Sequence, residues 1–166
     1  MLTRLALIFI LLSSALAHAD APKLVPESQR ADFVLIEKGE RQLTLMRDGR
    51  ILKRYRIGLG FAPSGDKRAE GDGKTPEGLY RIDRRNDRSK FHLSLGIDYP
   101  TATQRKAARA EGRNPGGDIF IHGQPNGYSG AKIRGDWTAG CAAVSNAEIR
   151  EIWSRVPIGT QVKITK

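Results

Sequence analysis

With one cysteine, Cys141, in 166 residues, the chain can close no internal disulfide, so its fold must rest on a packed core alone. The N-terminal sequence sharpens that constraint. MLTRLALIFILLSSALAHAD carries Arg4, an apolar run from Leu5 to Leu12, and Ala17-His18-Ala19, the small-x-small cleavage pattern. It predicts a signal peptide over residues 1–19, cleavage after Ala19, and export. The apolar run is too short for a permanent bilayer span, and no second one follows. The residue directly after the cleavage point is Asp20, not a cysteine, which excludes a lipoprotein. An exported thiol without a partner is open to oxidation and intermolecular pairing, so a chain that keeps one is expected to use it.

Cleavage leaves 147 of the 166 residues, enough for one domain with its own core. Loss of Arg4 takes the formal net charge from +10 to +9. Basic charge suits nucleic acid, but export disfavours that partner and points to anionic wall polymers or to a solvated basic surface. The clusters Arg81/Arg84/Arg85/Arg88 and Arg105/Lys106/Arg109 lie outside the cysteine region, where they can form a rim that steers an acidic substrate.

Residues 20–31 contain two prolines and no periodicity and read as a short leader before a domain over 32–166. The segments 32–38, 41–47 and 51–57 read as strands, with Asp48-Gly49 as a hairpin turn. The Gly- and Pro-rich stretch 58–78 predicts a long functional loop. Further strands are expected over 79–83, 91–97, 118–122 and 160–165, and a second Gly-rich loop over 123–140. A helix is expected from Thr101 to Glu111, and another from about Asn146 to Arg155 behind the capping box Ser145–Glu148. The sum is an α+β, strand-dominated chain, β-sandwich-like or barrel-like, with two helices and no βαβ rhythm.

A thiol becomes a nucleophile when a nearby base takes its proton, and an imidazole is the usual base. After cleavage only His92 and His122 remain. His92, within FHLSLGI, reads as a structural histidine. His122 ends an apolar strand and opens a Gly-rich loop, a position suited to a catalytic group. Gly140 permits a sharp bend beside Cys141, and backbone N–H groups near Gly140 and Cys141 can form an oxyanion hole. Trp137 and Tyr128 fall in the loop that would line the cleft, whereas Trp153, with Ile149 and Ile152, fits a helix core face. Gly73-Lys74-Thr75 is not a P-loop, because position 68 is Arg68 and Pro76 interrupts the helix that should follow. Two histidines and one cysteine, widely spread, match no zinc spacing.

Ile121-His122-Gly123, a spacer, and Thr138-Ala139-Gly140-Cys141 resemble the catalytic motif of the L,D-transpeptidase (YkuD-type) family, a His-Gly followed by Ser/Thr-x-Gly-Cys. Glu70 to Tyr80 (EGDGKTPEGLY) is similar to that family's Gly-Asp-x-x-Thr-Pro-x-Gly-x-Tyr stretch, and Ser89 to Tyr99 and Gly116 to Phe120 extend the likeness over roughly residues 32–166. The resemblance implies a mixed-β fold, no metal or organic cofactor, and action on peptidoglycan stem peptides outside the membrane. It implies that Cys141 attacks the diaminopimelate–D-alanine carbonyl and forms a thioester, which an amine acceptor resolves. His122 would be the general base, the Gly123 carbonyl its orienting group, and Trp137, Thr138 and Tyr128 substrate-binding residues.

Two positions depart from the pattern: Ala139 stands where many members have His, and Ala143 where many have Arg or Asn. Both bear on the acceptor, which is a diaminopimelate amine, a wall-attached lipoprotein, a D-amino acid or water. With water the enzyme is a hydrolase, either an L,D-carboxypeptidase or an amidase. A catalytically silent wall-binding module is the alternative from another class. The chain is expected to act as a monomer without a nucleic-acid partner.

Overall fold

The computed structural model describes residues 21–166, so the signal-peptide reading lies outside the described residues. Strands β1 (Phe33–Glu37), β2 (Gln42–Arg47) and β3 (Arg50–Arg56) form an antiparallel meander. The β2–β3 turn has Asp48 and Gly49 both at positive φ, 48° and 73°. That geometry matches the twist of the flanking strands and explains the Asp-Gly pair. Then follow β4 (Gly78–Ser89), β5 (His92–Ile97), α1 (Ala102–Ala110), β6 (Phe120–His122), β7 (Ala142–Ala143), α2 (Asn146–Arg155) and β8 (Gln161–Thr165).

The eight strands form one mixed sheet in the order β3-β2-β1-β8-β4-β5-β6-β7. The expected α+β, strand-dominated fold with two helices is present; closure into a barrel is not. The terminal strands β3 and β7 are not paired along their length. One isolated antiparallel bridge, Gly58 to Ala143, ties the chain leaving β3 to β7. The last strand, β8, enters the middle of the sheet, parallel to β1 and antiparallel to β4.

Strand β4 is 12 residues long, far longer than the expected 79–83. Its second half is the charged run Arg84 to Arg88, which has no apolar alternation to announce a strand. Pairing with β5 holds it, with register shifts at Ile82/Arg84 and Asn86/Ser89. Two-residue β7 was also not legible, since a strand this short has no period of its own.

Both helices begin on the reciprocal capping box, Thr101 with Gln104 and Ser145 with Glu148. Helix α2 buries Ile149, Ile152 and Trp153 in the core with Leu93, Leu95, Ile121 and Val162. The leader is not loose. Val25 N–H donates to Ser154 O (2.9 Å) and Ala31 N–H to Arg155 O (2.8 Å), so it satisfies carbonyls at the open end of α2. Arg85 does not belong to a steering rim. Its guanidinium lies 4.0 Å over the Trp153 ring and donates to Val156 O and Trp153 O, closing the same helix end.

The 58–78 loop is held by two buried lysines and their carboxylate partners. Lys38, 3% exposed, donates to Gly65 O (2.6 Å), Thr75 O (2.9 Å) and Glu77 (2.9 Å). Asp72 accepts from the Arg68, Ala69 and Lys74 amides and from Lys67 Nζ at 2.8–3.0 Å. Burial opposes ionisation there, but these donors outweigh it and hold the Asp72 carboxyl down at about 2. Asp72→Ala is therefore expected to cost about 1–3 kcal/mol in denaturant unfolding, because Lys67 and three amides lose their acceptor. The sign with pH follows. The folded value lies below the ordinary 3.8, so the contribution is complete above 3.8 and is lost as pH falls through about 2. The acid limb of wild-type stability should flatten in the variant.

Candidate active site

The apolar run Ile119-Phe120-Ile121 carries β6 into the sheet and ends it at His122. Strand register then decides what faces what. His122 pairs with Ser94 on β5 and with Ala143 on β7, and Ile121 pairs with Ala142. Cys141 lies one residue before β7, where its Sγ accepts from the Phe120 amide. Side chains alternate between faces, so Phe120 and His122 share one face of β6. Two residues 19 positions apart, Cys141 and His122, are thereby brought to the paired strands β7 and β6.

The imidazole is 3% exposed. Its Nδ1 lies 2.7 Å from the Gly123 carbonyl oxygen. A carbonyl only accepts, so Nδ1 carries the hydrogen and the neutral ring keeps its lone pair on Nε2. Phe91 lies over the ring (centroids 4.5 Å) and Trp137 meets it edge-on (5.7 Å). Gly123 has no room for a side chain: a Cβ would lie 2.6 Å from Asn146 Oδ1 and 3.1 Å from His92 Cβ. Asn146 also accepts from the Gln124 amide (2.8 Å), so it shapes the turn that carries the Gly123 carbonyl. His92 sits behind that turn in a structural position, its pKa lowered by burial and then by Arg150.

Cys141 is half-buried, not sealed beneath the core. Its Sγ accepts from the Phe120 amide (3.4 Å) and lies 3.5 Å from the Asp118 carbonyl oxygen. Burial pushes the thiol up to about 11, against the Phe120 amide, Lys67 and Arg84, which favour the thiolate. Burial likewise lowers the His122 pKa, against the Gly123 hydrogen bond. Each shift disfavours the charged form. Burial thus favours the neutral form of both groups.

The two Gly-rich loops meet at the cysteine. Thr138 N–H donates to Leu59 O (3.0 Å) and Phe61 N–H to Thr138 O (2.9 Å). Asp136 accepts from the Leu59 amide (3.0 Å) and from Arg41 (2.9 Å). Gly140, at φ 139°, abuts the other loop so closely that a Cβ would lie 2.7 Å from Lys74 O.

Three of the expected site residues are held within their own loops. Thr138 is 4% exposed, and its hydroxyl donates to Cys141 O (2.8 Å) and accepts from the Gly140 amide (3.1 Å). Its hydroxyl pins the turn. The Gly140 N–H is spent in that same turn, so it is not offered to an oxyanion; the glycine serves backbone shape. Tyr128 folds back on its own loop, its hydroxyl 2.3 Å from where a Gly130 Cβ would stand. Trp137, by contrast, walls the imidazole. Phe91, Asp136 and Asp72 support the site; Asp72 is the aspartate of the Gly-Asp-x-x-Thr-Pro stretch, whereas Asp136 was not singled out from the sequence. Ala143, 1% exposed, is the Gly58 partner in the isolated bridge. Among the described residues, no group of three or more His, Cys, Asp or Glu side chains is placed to hold a metal ion.

The fold is similar to that of the helical cell shape determining protein Pgp2 from Campylobacter jejuni, at 27% identity and TM-score 0.64, over 81% of this chain and 47% of that one. It is similar to Bd1075 of Bdellovibrio bacteriovorus at 21% identity and TM-score 0.57, over 89% of this chain and 52% of that one. It also resembles an L,D-transpeptidase from Xylanimonas cellulosilytica at 19% identity and TM-score 0.55, over 84% and 63% of the two chains. The chain thus spans about half the length of the first of these structures. No match was found among curated proteins. Residues 31–164 match the YkuD family, the L,D-transpeptidase catalytic domain, and the chain belongs to that family.

Proposed function

We propose that this chain is an extracytoplasmic cysteine acyltransferase acting on peptidoglycan stem peptides. Nε2 of His122 takes the thiol proton as Cys141 Sγ bonds to the carbonyl carbon between diaminopimelate and the terminal D-alanine. The oxyanion that forms is met by backbone donors, of which the Cys141 amide is the one assigned here. Collapse breaks the C–N bond, the proton passes from His122 to the leaving amine, and D-alanine departs. An acceptor amine, deprotonated by the same imidazole, attacks the thioester and restores the thiol. The Gly123 carbonyl keeps Nδ1 protonated, so Nε2 is the working atom throughout.

The observation that carries this reading is the β6–β7 pairing, which brings Cys141 beside the strand that ends at His122, an imidazole whose tautomer is set by the Gly123 carbonyl. Family membership and the likeness to Pgp2, described as determining helical cell shape, support the wall as the setting. Export rests on the N-terminal sequence. No helix among the described residues is long and apolar enough to cross a membrane.

Two measurements test it. Incubation with disaccharide-tetrapeptide should release D-alanine and yield diaminopimelate–diaminopimelate dimers, read by mass spectrometry of the digest; shortened stems alone would reassign the acceptor to water. Incubation with a carbapenem should add its mass to Cys141, since a strained acyl donor traps the thioester. Folded protein with neither product nor adduct would refute the enzymatic reading.

A further inference from the structure

The row of the sheet that leads to Cys141 also carries a cation. Arg84 on β4 pairs with Gly96 on β5, Gly96 pairs with Phe120 on β6, and the Phe120 amide reaches the Cys141 sulfur. Arg84, Gly96 and Phe120 form one row across three strands, with Cys141 at its end. The irregularity between Ile82 and Arg84 sets that alignment. Gly96 makes the seat: a Cβ there would lie 2.6 Å from Arg84 Cγ and 2.8 Å from its Nε, so the side chain lies flat where a side chain is missing. The guanidinium ends 4.6 Å over the Phe120 ring. The backbone of Phe120 donates to the nucleophilic sulfur.

The partners of Arg84 are weak and replaceable. It donates to Asp118 Oδ1 (3.1 Å) and to both carboxylate oxygens of Asp83 (2.9 and 3.1 Å). The Asp118 side chain is 88% exposed, and exposed pairs of this kind contribute about 0–1 kcal/mol. Yet the Asp118 backbone oxygen lies 3.5 Å from Sγ, so this carboxylate stands at the edge of the reacting centre.

We propose that Arg84 binds a free carboxylate of the acyl donor, and that the Asp118 side chain is its placeholder in the empty site. The proposal deepens the stem-peptide reading and rests on it. The substrate would enter with a carboxylate adjacent to the scissile amide, displace Asp118 from the guanidinium, and be held in register with Sγ by a bond that Lys can replace only in part. Arg84 is a specificity residue for an anionic donor, distinct from neighbouring Arg85, which closes α2.

The test compares alkylation of Cys141 in the full chain by iodoacetate and by iodoacetamide, reagents that differ in one carboxylate. In the wild type the anionic reagent should gain relative to its rate with free cysteine. Arg84→Met should lower the iodoacetate-to-iodoacetamide rate ratio roughly five- to tenfold, and Arg84→Lys less. Asp118→Asn should raise the ratio by removing the competitor, and asparagine tolerates the left-handed φ of 53° at that position. Arg84→Met should also raise KM for a stem peptide with a free terminal carboxylate while sparing its C-terminal amide. A ratio unchanged in both the Arg84→Met and Asp118→Asn variants overturns the assignment and leaves the thiol chemistry standing. A wild-type thiol inert to both reagents overturns it together with the reading beneath it.

Discussion

Cys141→Ala will abolish turnover and leave the fold in place. Removing a covalent nucleophile costs on the order of 10⁴-fold or more, since binding and oxyanion stabilisation alone remain. The structural cost is small for a physical reason. Cys141 is half-buried, closes no disulfide, and its sulfur makes two long hydrogen bonds among the described residues, at 3.4 and 3.5 Å. Alanine fits the same backbone, and the turn before it is pinned by Thr138 and Gly140, not by the thiol. D-alanine release and a thermal melt on the same sample check both halves. A variant that turns over normally would remove the thioester from the mechanism.

The second large effect is at His122. His122→Gln should lower kcat by about 10²–10⁴-fold, the range for loss of a positioned general base. The pH profile carries the sharper test. Burial lowers the His122 pKa, so the ring stays neutral and basic below the ordinary imidazole value of 6.5. Wild-type activity should hold through neutrality and fall only below that value, as the ring takes a proton. The acid limb should vanish in the variant. Stability should follow the same sign: the unfolded histidine binds its proton first, so wild-type stability drops as pH falls below 6.5. An acid limb that survives His122→Gln would assign it to another group.

Much of the site was legible before any coordinates because it is written in local chemistry. His122-Gly123 and Gly140-Cys141 are adjacent pairs, and a capping box, an Asp-Gly turn or a glycine beside a thiol acts over a few residues. Strands with an alternating apolar face were equally plain, as with β2 and β8. Charged β4 and two-residue β7 were not, because their position comes from partner strands. Thr138 and Tyr128 sat in the motif and its spacer, and sequence could not tell that one hydroxyl would be consumed in a turn and the other fold back on its own loop.

The amino-acid order alone determined which groups could do chemistry: one thiol, one imidazole at a strand end, and glycines where the backbone must bend. Only the tertiary structure decided which of them meet. Register across β4, β5 and β6 aligns Arg84, Gly96 and Phe120 in one row, and the pairing of β6 with β7 brings Cys141 and His122 to neighbouring strands. Each pairing is a long-range hydrogen-bond choice, and a slip of one residue would send every one of those side chains to the opposite face.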